Sequence, residues 1–211
     1  MFSGIGRLIV VLAAICFVAG LALSAVFEVT KEPIAYQLKL EVIRSLKAVL
    51  SEMDIDPDRD YVDLQRPEVG EVRVFQAATG DTADGVAFQV RAPDGYSGSI
   101  FVMMGVLPDG SLGGIEILNH AETPGLGSLI IEDSFKDQFK GRSLDNTNFK
   151  VKKDGGDIDQ ITGATISPRA VSEAVEKGLI WFRDEKEKIL TYIPKADEGG
   201  PDDGTEKPDT M

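Results

Sequence analysis

Cysteine and histidine are nearly absent: the 211-residue chain has one of each, Cys16 and His120. Cys16 lies inside an apolar N-terminal run, so there is no disulfide framework and no thiolate metal site. A single histidine also argues against a zinc cluster. Basic charge is in deficit, with 22 Lys and Arg against 35 Asp and Glu and a net of -13. A phosphate backbone would be repelled by such a chain, which excludes nucleic acid as a partner. There is no internal repeat, no P-loop and no glycine fingerprint following a strand, so nucleotide hydrolysis and hydride transfer on a Rossmann domain find no support. No nucleophile stands beside a general base as a stand-alone enzyme would require.

What the chain does contain begins with a long apolar run. Leu8 to Phe27 is interrupted only by Ser24 and carries no charge, and about twenty such residues cross a bilayer core as a helix. A cleavable signal peptide is the competing reading, with Arg7 as the charged flank and Ala22-Leu23-Ser24 as a weak cleavage site, but the run is longer than an ordinary signal core. The expected organisation is a short N-terminus over 1–7, a retained anchor over 8–27, a folded domain over 28–193 and a disordered acidic tail over 194–211. Lys31, Lys39, Arg44 and Lys47 are interleaved with Glu28, Glu32 and Glu41, so charge leaves the side of the membrane open.

Beyond the anchor, Pro33 is expected to start a helix in which Leu38, Val42, Leu46, Val49 and Leu50 recur at helical spacing. Asp54 to Pro67 reads as a loop rich in Asp and Pro. Four strands are predicted, Glu71 to Ala77, Gly85 to Arg91, Gly98 to Leu107 and Leu112 to Asn119, separated by the turn signatures Thr79-Gly80-Asp81, Pro93-Asp94-Gly95 and Pro108-Asp109-Gly110. They should form an antiparallel meander. Met103 and Met104 fall in an apolar stretch and are assigned to the core. A helix is expected over Ser128 to Phe139, a short strand over Phe149 to Lys153, and a last helix from Pro168 to the Leu190 region. The last helix has Val171, Ala174, Val175, Gly178, Trp181 and Phe182 on its packed side. The fold class is therefore α+β, an antiparallel sheet packed by helices behind one transmembrane helix.

Two stretches carry the candidate chemistry. His120-Ala121-Glu122-Thr123-Pro124-Gly125-Leu126-Gly127 is a loop whose glycines and proline fix an unusual path beside a carboxylate. It reads either as a border to a planar ligand or as a plain turn into the next helix. Asp159-Gln160-Ile161-Thr162-Gly163-Ala164-Thr165 precedes Ser167, read as a helix N-cap, and Pro168, read as the first helical residue. A helix start attracts phosphate, and Gly163 lets a ligand approach the backbone. The plainer reading of this stretch is a turn closed by a capped helix.

The pattern Asp, two variable residues, Thr, then Gly-Ala-Thr resembles the covalent attachment site of FMN-binding domains. With Gly95-Tyr96-Ser97-Gly98, the Glu122 to Gly127 loop and the single anchor, the chain resembles the G subunits of the Rnf electron-transport complexes to about Ile193. The C subunits of the sodium-pumping NADH:quinone reductases are a related family. The resemblance implies FMN held as a phosphoester on Thr165. A flavin transferase would recognise Asp159, Thr162, Gly163 and Ala164. Glu122, Thr123, Gly125, Leu126, Thr162, Gly163, Ala164 and Ser167 would lie at the cofactor, and Arg169 could balance its phosphate. It further implies membrane lipid as the anchor's surroundings and membrane, flavin and iron–sulfur subunits as partners. The flavin domain would face the periplasm or the cell exterior, in a complex that passes electrons from ferredoxin to NAD. Competing expectations are an anchored assembly protein without flavin and a related flavoprotein of a quinone reductase or membrane regulator.

Overall fold

A computed structural model describes residues 2–66, 69–78 and 82–191. The expected turn at Thr79-Gly80-Asp81 and the expected tail lie outside the described residues. Two compact units divide the chain after Val42.

The first unit is the greater part of helix α1, Phe2–Val49. It contains the only described helix long and apolar enough to cross a membrane. Pro33 does not begin a second helix as the sequence suggested; α1 runs through it. A proline inside a helix removes one hydrogen bond and costs about 3 kcal/mol. The flanking Glu32, Ala35, Gln37, Leu38 and Lys39 are mostly strong helix formers that offset the break. Leu38, counted among the packed positions, is exposed; burial begins only at Ser45 and Leu46.

The second unit is built on a five-stranded antiparallel meander, β1 (Tyr61–Arg66), β2 (Gly70–Ala78), β3 (Ala83–Ala92), β4 (Ile100–Val106) and β5 (Leu112–Asn119), in sequence order across the sheet. Strand β1 occupies part of what the sequence suggested was a loop. Its Val62 and Leu64 pack on the core, while Asp63 accepts from Arg73 of β2 at 2.9 Å. The Arg73 guanidinium also lies over the Tyr61 ring at 3.9 Å. Cross-strand pairs of this kind contribute roughly 0.2–1 kcal/mol each, enough to add an edge strand to a sheet already formed.

Alternation along the strands gives the sheet two buried faces. Phe88, Val90 and Met104 carry one of them, against helix α3 (Ile166–Asp184). Its Val171, Ala174, Val175, Gly178, Trp181 and Phe182 are all buried as the spacing required. Trp181 meets Phe88 edge-on with ring centroids 5.0 Å apart, a core role. Gly105 and Gly113 face the last turn of α1, where each would bring a Cβ to 2.5 Å from the Val49 carbonyl. The missing side chains let that turn close on the sheet.

The segment after β5 is more broken than the single helix expected. A 3-10 turn over Gly127–Ile131 is followed by α2 (Asp133–Lys136) and a second 3-10 turn over Asp137–Phe139. Its Phe135 and Phe139 sit edge-to-face, and Phe139 stacks on Phe149, so three rings seal this end of the core. Phe149 to Lys153 is not a strand. Val151 forms an isolated bridge to Ile158 and the chain turns at Gly155, whose φ is 84°. The short helix α4 (Lys186–Leu190) follows α3, held by the buried Gln76 amide, which donates to the carbonyls of Ile189 and Thr191.

Gly178 is where α3 comes nearest to the sheet: a Cβ there would collide with Met104 Sδ and lie 2.9 Å from Val90 Cγ1. Replacing it with Ala gains about 1 kcal/mol of helix propensity, while overpacking costs roughly 1–3 kcal/mol. Gly178→Ala is expected to lower unfolding stability in urea; an increase would mean that α3 is not seated as described.

Candidate functional site

Three connections meet at the start of α3: the Gly95–Gly98 turn between β3 and β4, the 120–127 loop after β5, and the 159–165 segment. The joining side chain is Glu122. It is 4% exposed, and each of its oxygens is engaged by a different segment. Ser97 N–H donates to Oε1 at 3.1 Å, and Ser167 Oγ donates to Oε2 at 2.6 Å. The Glu122 N–H in turn donates to His120 Nδ1 at 3.1 Å. A buried carboxylate is tolerated only when hydrogen-bonded in this way.

The 159–165 segment contains a tight turn. Ala164 N–H donates to the Ile161 carbonyl at 3.0 Å, with exposed Thr162 and Gly163 at the tip and Gly163 at φ 82°. Leu126 packs close to this turn: its Cδ2 is 3.6 Å from where a Gly163 Cβ would be. Thr123, Gly125 and Leu126 are exposed, and Gly125, at φ 73°, donates its N–H to Ser128 Oγ at 2.9 Å. Asp159 begins the motif. Gln138 Oε1 accepts its N–H at 2.7 Å, and its carboxylate pairs with Lys152 at 2.7 Å on the surface.

The helix starts two residues earlier than expected. Thr165, not Ser167, occupies the N-cap position, and its side chain makes no capping hydrogen bond. Ser167 lies within the first turn, buried, with its hydroxyl committed to Glu122. Capping requires the side-chain oxygen to fold back onto the N–H groups two or three residues ahead, and Ser167 is turned inward instead. Thr165 is thus partly exposed, beside a helix end that its side chain does not cap. Exposed apolar side chains flank the clamp on each connection: Tyr96 next to Ser97, Leu126 next to Gly127, and Ile166 next to Ser167. A phosphate on Thr165 and a planar apolar ring both fit these surroundings.

The structure joins Glu122 to Ser167 and sets Leu126 against Gly163, two residues to either side of Thr165 in the chain, and leaves Thr123 and Thr162 exposed. Reasoning from sequence did not include Ser97, Gly95, Gly127 or Gln138 among the site residues. For the first three a signal existed: small residues recur where two loops crowd one carboxylate. Gln138 gave none.

A family model described as the FMN-binding domain matches residues 95–180. The span includes all three connections, and it defines the class of the folded unit. Among curated proteins, the G subunit of an ion-translocating oxidoreductase complex from Cereibacter sphaeroides is 39% identical over 84% of this chain and 84% of its own length. Its namesake from Aliivibrio fischeri is 33% identical over 86% of this chain and 91% of its own length. The chain belongs to this family, the G subunits of ion-translocating oxidoreductase complexes. A crystal structure of NqrC from Shewanella oneidensis is 19% identical, covers 69% of this chain and 73% of that one, and has a TM-score of 0.45. That similarity is too low to argue from.

Arg169 is already engaged. Its Nε donates to Asp154 Oδ2 at 2.6 Å and its Nη2 to Oδ1 at 3.0 Å. The hydrogen bond from Arg169 holds the Asp154 carboxyl below the ordinary aspartate value, and Asp154 raises Arg169. A depressed carboxyl favours the folded state above its ordinary pKa of about 3.9 and loses that contribution as pH falls through the lower folded value. A carbon-detected NMR titration is expected to place the Asp154 midpoint below that of a free aspartate, and Arg169→Ala to return it to the ordinary range. An unshifted midpoint in the unsubstituted protein would contradict the pairing.

Proposed function

We propose that this chain is the membrane-anchored flavoprotein of an ion-translocating, Rnf-type ferredoxin:NAD oxidoreductase complex, carrying electrons through FMN esterified to Thr165. The observation that carries this reading is the partly exposed Thr165 at the uncapped start of α3, inside the matched FMN-binding segment. Relatives of nearly the same extent, named as G subunits, support the assignment to a multi-subunit complex.

In the attachment step, the Thr165 oxygen bonds to the FMN phosphorus of FAD, the phosphoanhydride bond breaks, AMP leaves, and the hydroxyl proton is released. A separate flavin transferase catalyses it, recognising Asp159 and Thr162 to Ala164. When bound, FMN supplies one- and two-electron transfer. The chain's own part is to hold it. The N–H groups at the start of α3 favour the negative phosphodiester by roughly 0.3–1 kcal/mol. Tyr96, Leu126 and Ile166 offer apolar surface to the ring. Gly163 and Ala164 keep the approach to Thr165 open, with Thr123, Gly125 and Thr162 on the bordering turns. Arg169, one turn away, is paired with Asp154, which offsets its charge.

The apolar part of α1 anchors the protein in lipid as a single pass, with the flavin domain on the periplasmic or extracellular side, against membrane, flavin and iron–sulfur subunits of the complex. Protease added to intact spheroplasts is expected to digest the domain; full protection there would reverse the orientation. For the attachment itself, the full-length protein co-expressed with a flavin transferase should gain the mass of one esterified FMN, and Thr165→Ala should gain none. A colourless unsubstituted protein would instead favour an assembly protein without flavin.

A further inference from the structure

Glu122 is buried with each carboxylate oxygen accepting from a different segment, Ser97 N–H on one side and Ser167 Oγ on the other. The surrounding backbone is shaped to it. A Cβ on Gly127 would stand 2.5 Å from Ser167 Oγ and 2.6 Å from Glu122 Oε2. One on Gly95 would stand 2.8 Å from Oε1 and would also collide with the Gly98 carbonyl. Two glycines on two loops therefore leave the space that this carboxylate and its serine occupy. Gly127 does so at ordinary helical backbone, so close approach rather than a left-handed conformation explains it.

The clamp acts on the attachment point through the helix. Ser167 lies in the first turn of α3, two residues after Thr165, and Pro168 beside it is buried as well. On the loop side, Leu126 precedes Gly127 and overlies Gly163. Fixing Ser167 to Glu122 thus sets where the Thr165 hydroxyl stands relative to the loop that borders it. From this arrangement we infer that Glu122 is a positioning residue: its carboxylate orients Thr165 for flavin attachment through Ser167, without itself touching the cofactor. This rests on the reading of Thr165 as the attachment point. Each oxygen already has a protein donor and the side chain is buried, which keeps it from a ribityl hydroxyl or a ring nitrogen.

The test compares full-length protein with Ser167→Ala, Gly127→Ala, Glu122→Gln and Thr165→Ala. Each is incubated with flavin transferase and FAD below the melting midpoint of every variant. The readouts are the initial rate of FMN addition by intact mass and the visible circular dichroism of the attached flavin, which reports how firmly its surroundings are fixed. Ser167→Ala and Gly127→Ala are expected to slow addition by about tenfold or more, as a misplaced reacting group does, and to weaken the dichroism. Glu122→Gln keeps a carbonyl that accepts from Ser97 but turns a donor amide toward the Ser167 hydroxyl, so it should slow addition by less than Ser167→Ala and Gly127→Ala do. Unchanged rate and dichroism in both Ser167→Ala and Gly127→Ala would overturn the inference. So would a Glu122→Gln loss as severe as that of Gly127→Ala, which would point to a role for the negative charge itself. If the unsubstituted protein takes no FMN, or Thr165→Ala takes it normally, the attachment site is wrong and the positioning role falls with it, a pattern distinct from either of the others.

Discussion

The seating of α3 on the sheet is the contact on which the site depends. Gly178 lets the helix approach Met104 and Val90 to a distance that no side chain would permit, and Trp181 locks against Phe88 three residues on. A helix held this closely along its length has little freedom at its start. Thr165 takes its place from that axis, and the Glu122 clamp removes the motion that remains by tying the first turn to two loops. Burial of a Leu- or Phe-sized side chain contributes about 1.5–3 kcal/mol, so the apolar face of α3 outweighs any single polar contact at its end. Packing fixes the helix; hydrogen bonding fixes its tip.

The division of work between the two hydroxyls follows from this. A serine facing inward, with a carboxylate to accept its hydrogen bond, is lost as a cap. The helix end is then left uncapped beside the partly exposed Thr165. Uncapped N–H groups cost free energy unless something accepts from them, and a phosphoester on Thr165 would be such an acceptor. An isolated turn closed by a capped helix would have put its serine the other way round.

Much of this was legible in the sequence, and the exceptions have physical causes. The meander could be read because its turns carry Pro-Asp-Gly signatures and its strands alternate. The face of α3 could be read because a 3.6-residue period is unambiguous over 19 residues. Strand β1 was hidden by Asp and Pro around it, since an edge strand needs only one apolar side and its stability comes from partners on β2 rather than from its own composition. The continuity of α1 through Pro33 was hidden because local propensity on both sides outweighs one break. At the site, the loop, the turn and Thr165 were visible in outline. Ser167 was misread as a cap because capping residues are recognised by position alone, whereas its true partner is Glu122, far away in sequence. Gln138, which holds Asp159, was invisible for the same reason.

The central claim is that one hydroxyl among three neighbours, Thr162, Thr165 and Ser167, carries the flavin. Trypsin cutting after Lys153 and Arg169 releases a single peptide containing all three, and fragmentation of the yellow, fluorescent form of that peptide assigns the phosphoester to one of them. Flavin is expected on Thr165 alone. Flavin on exposed Thr162 or on Ser167, or a flavin-bearing peptide from elsewhere in the chain, would contradict it.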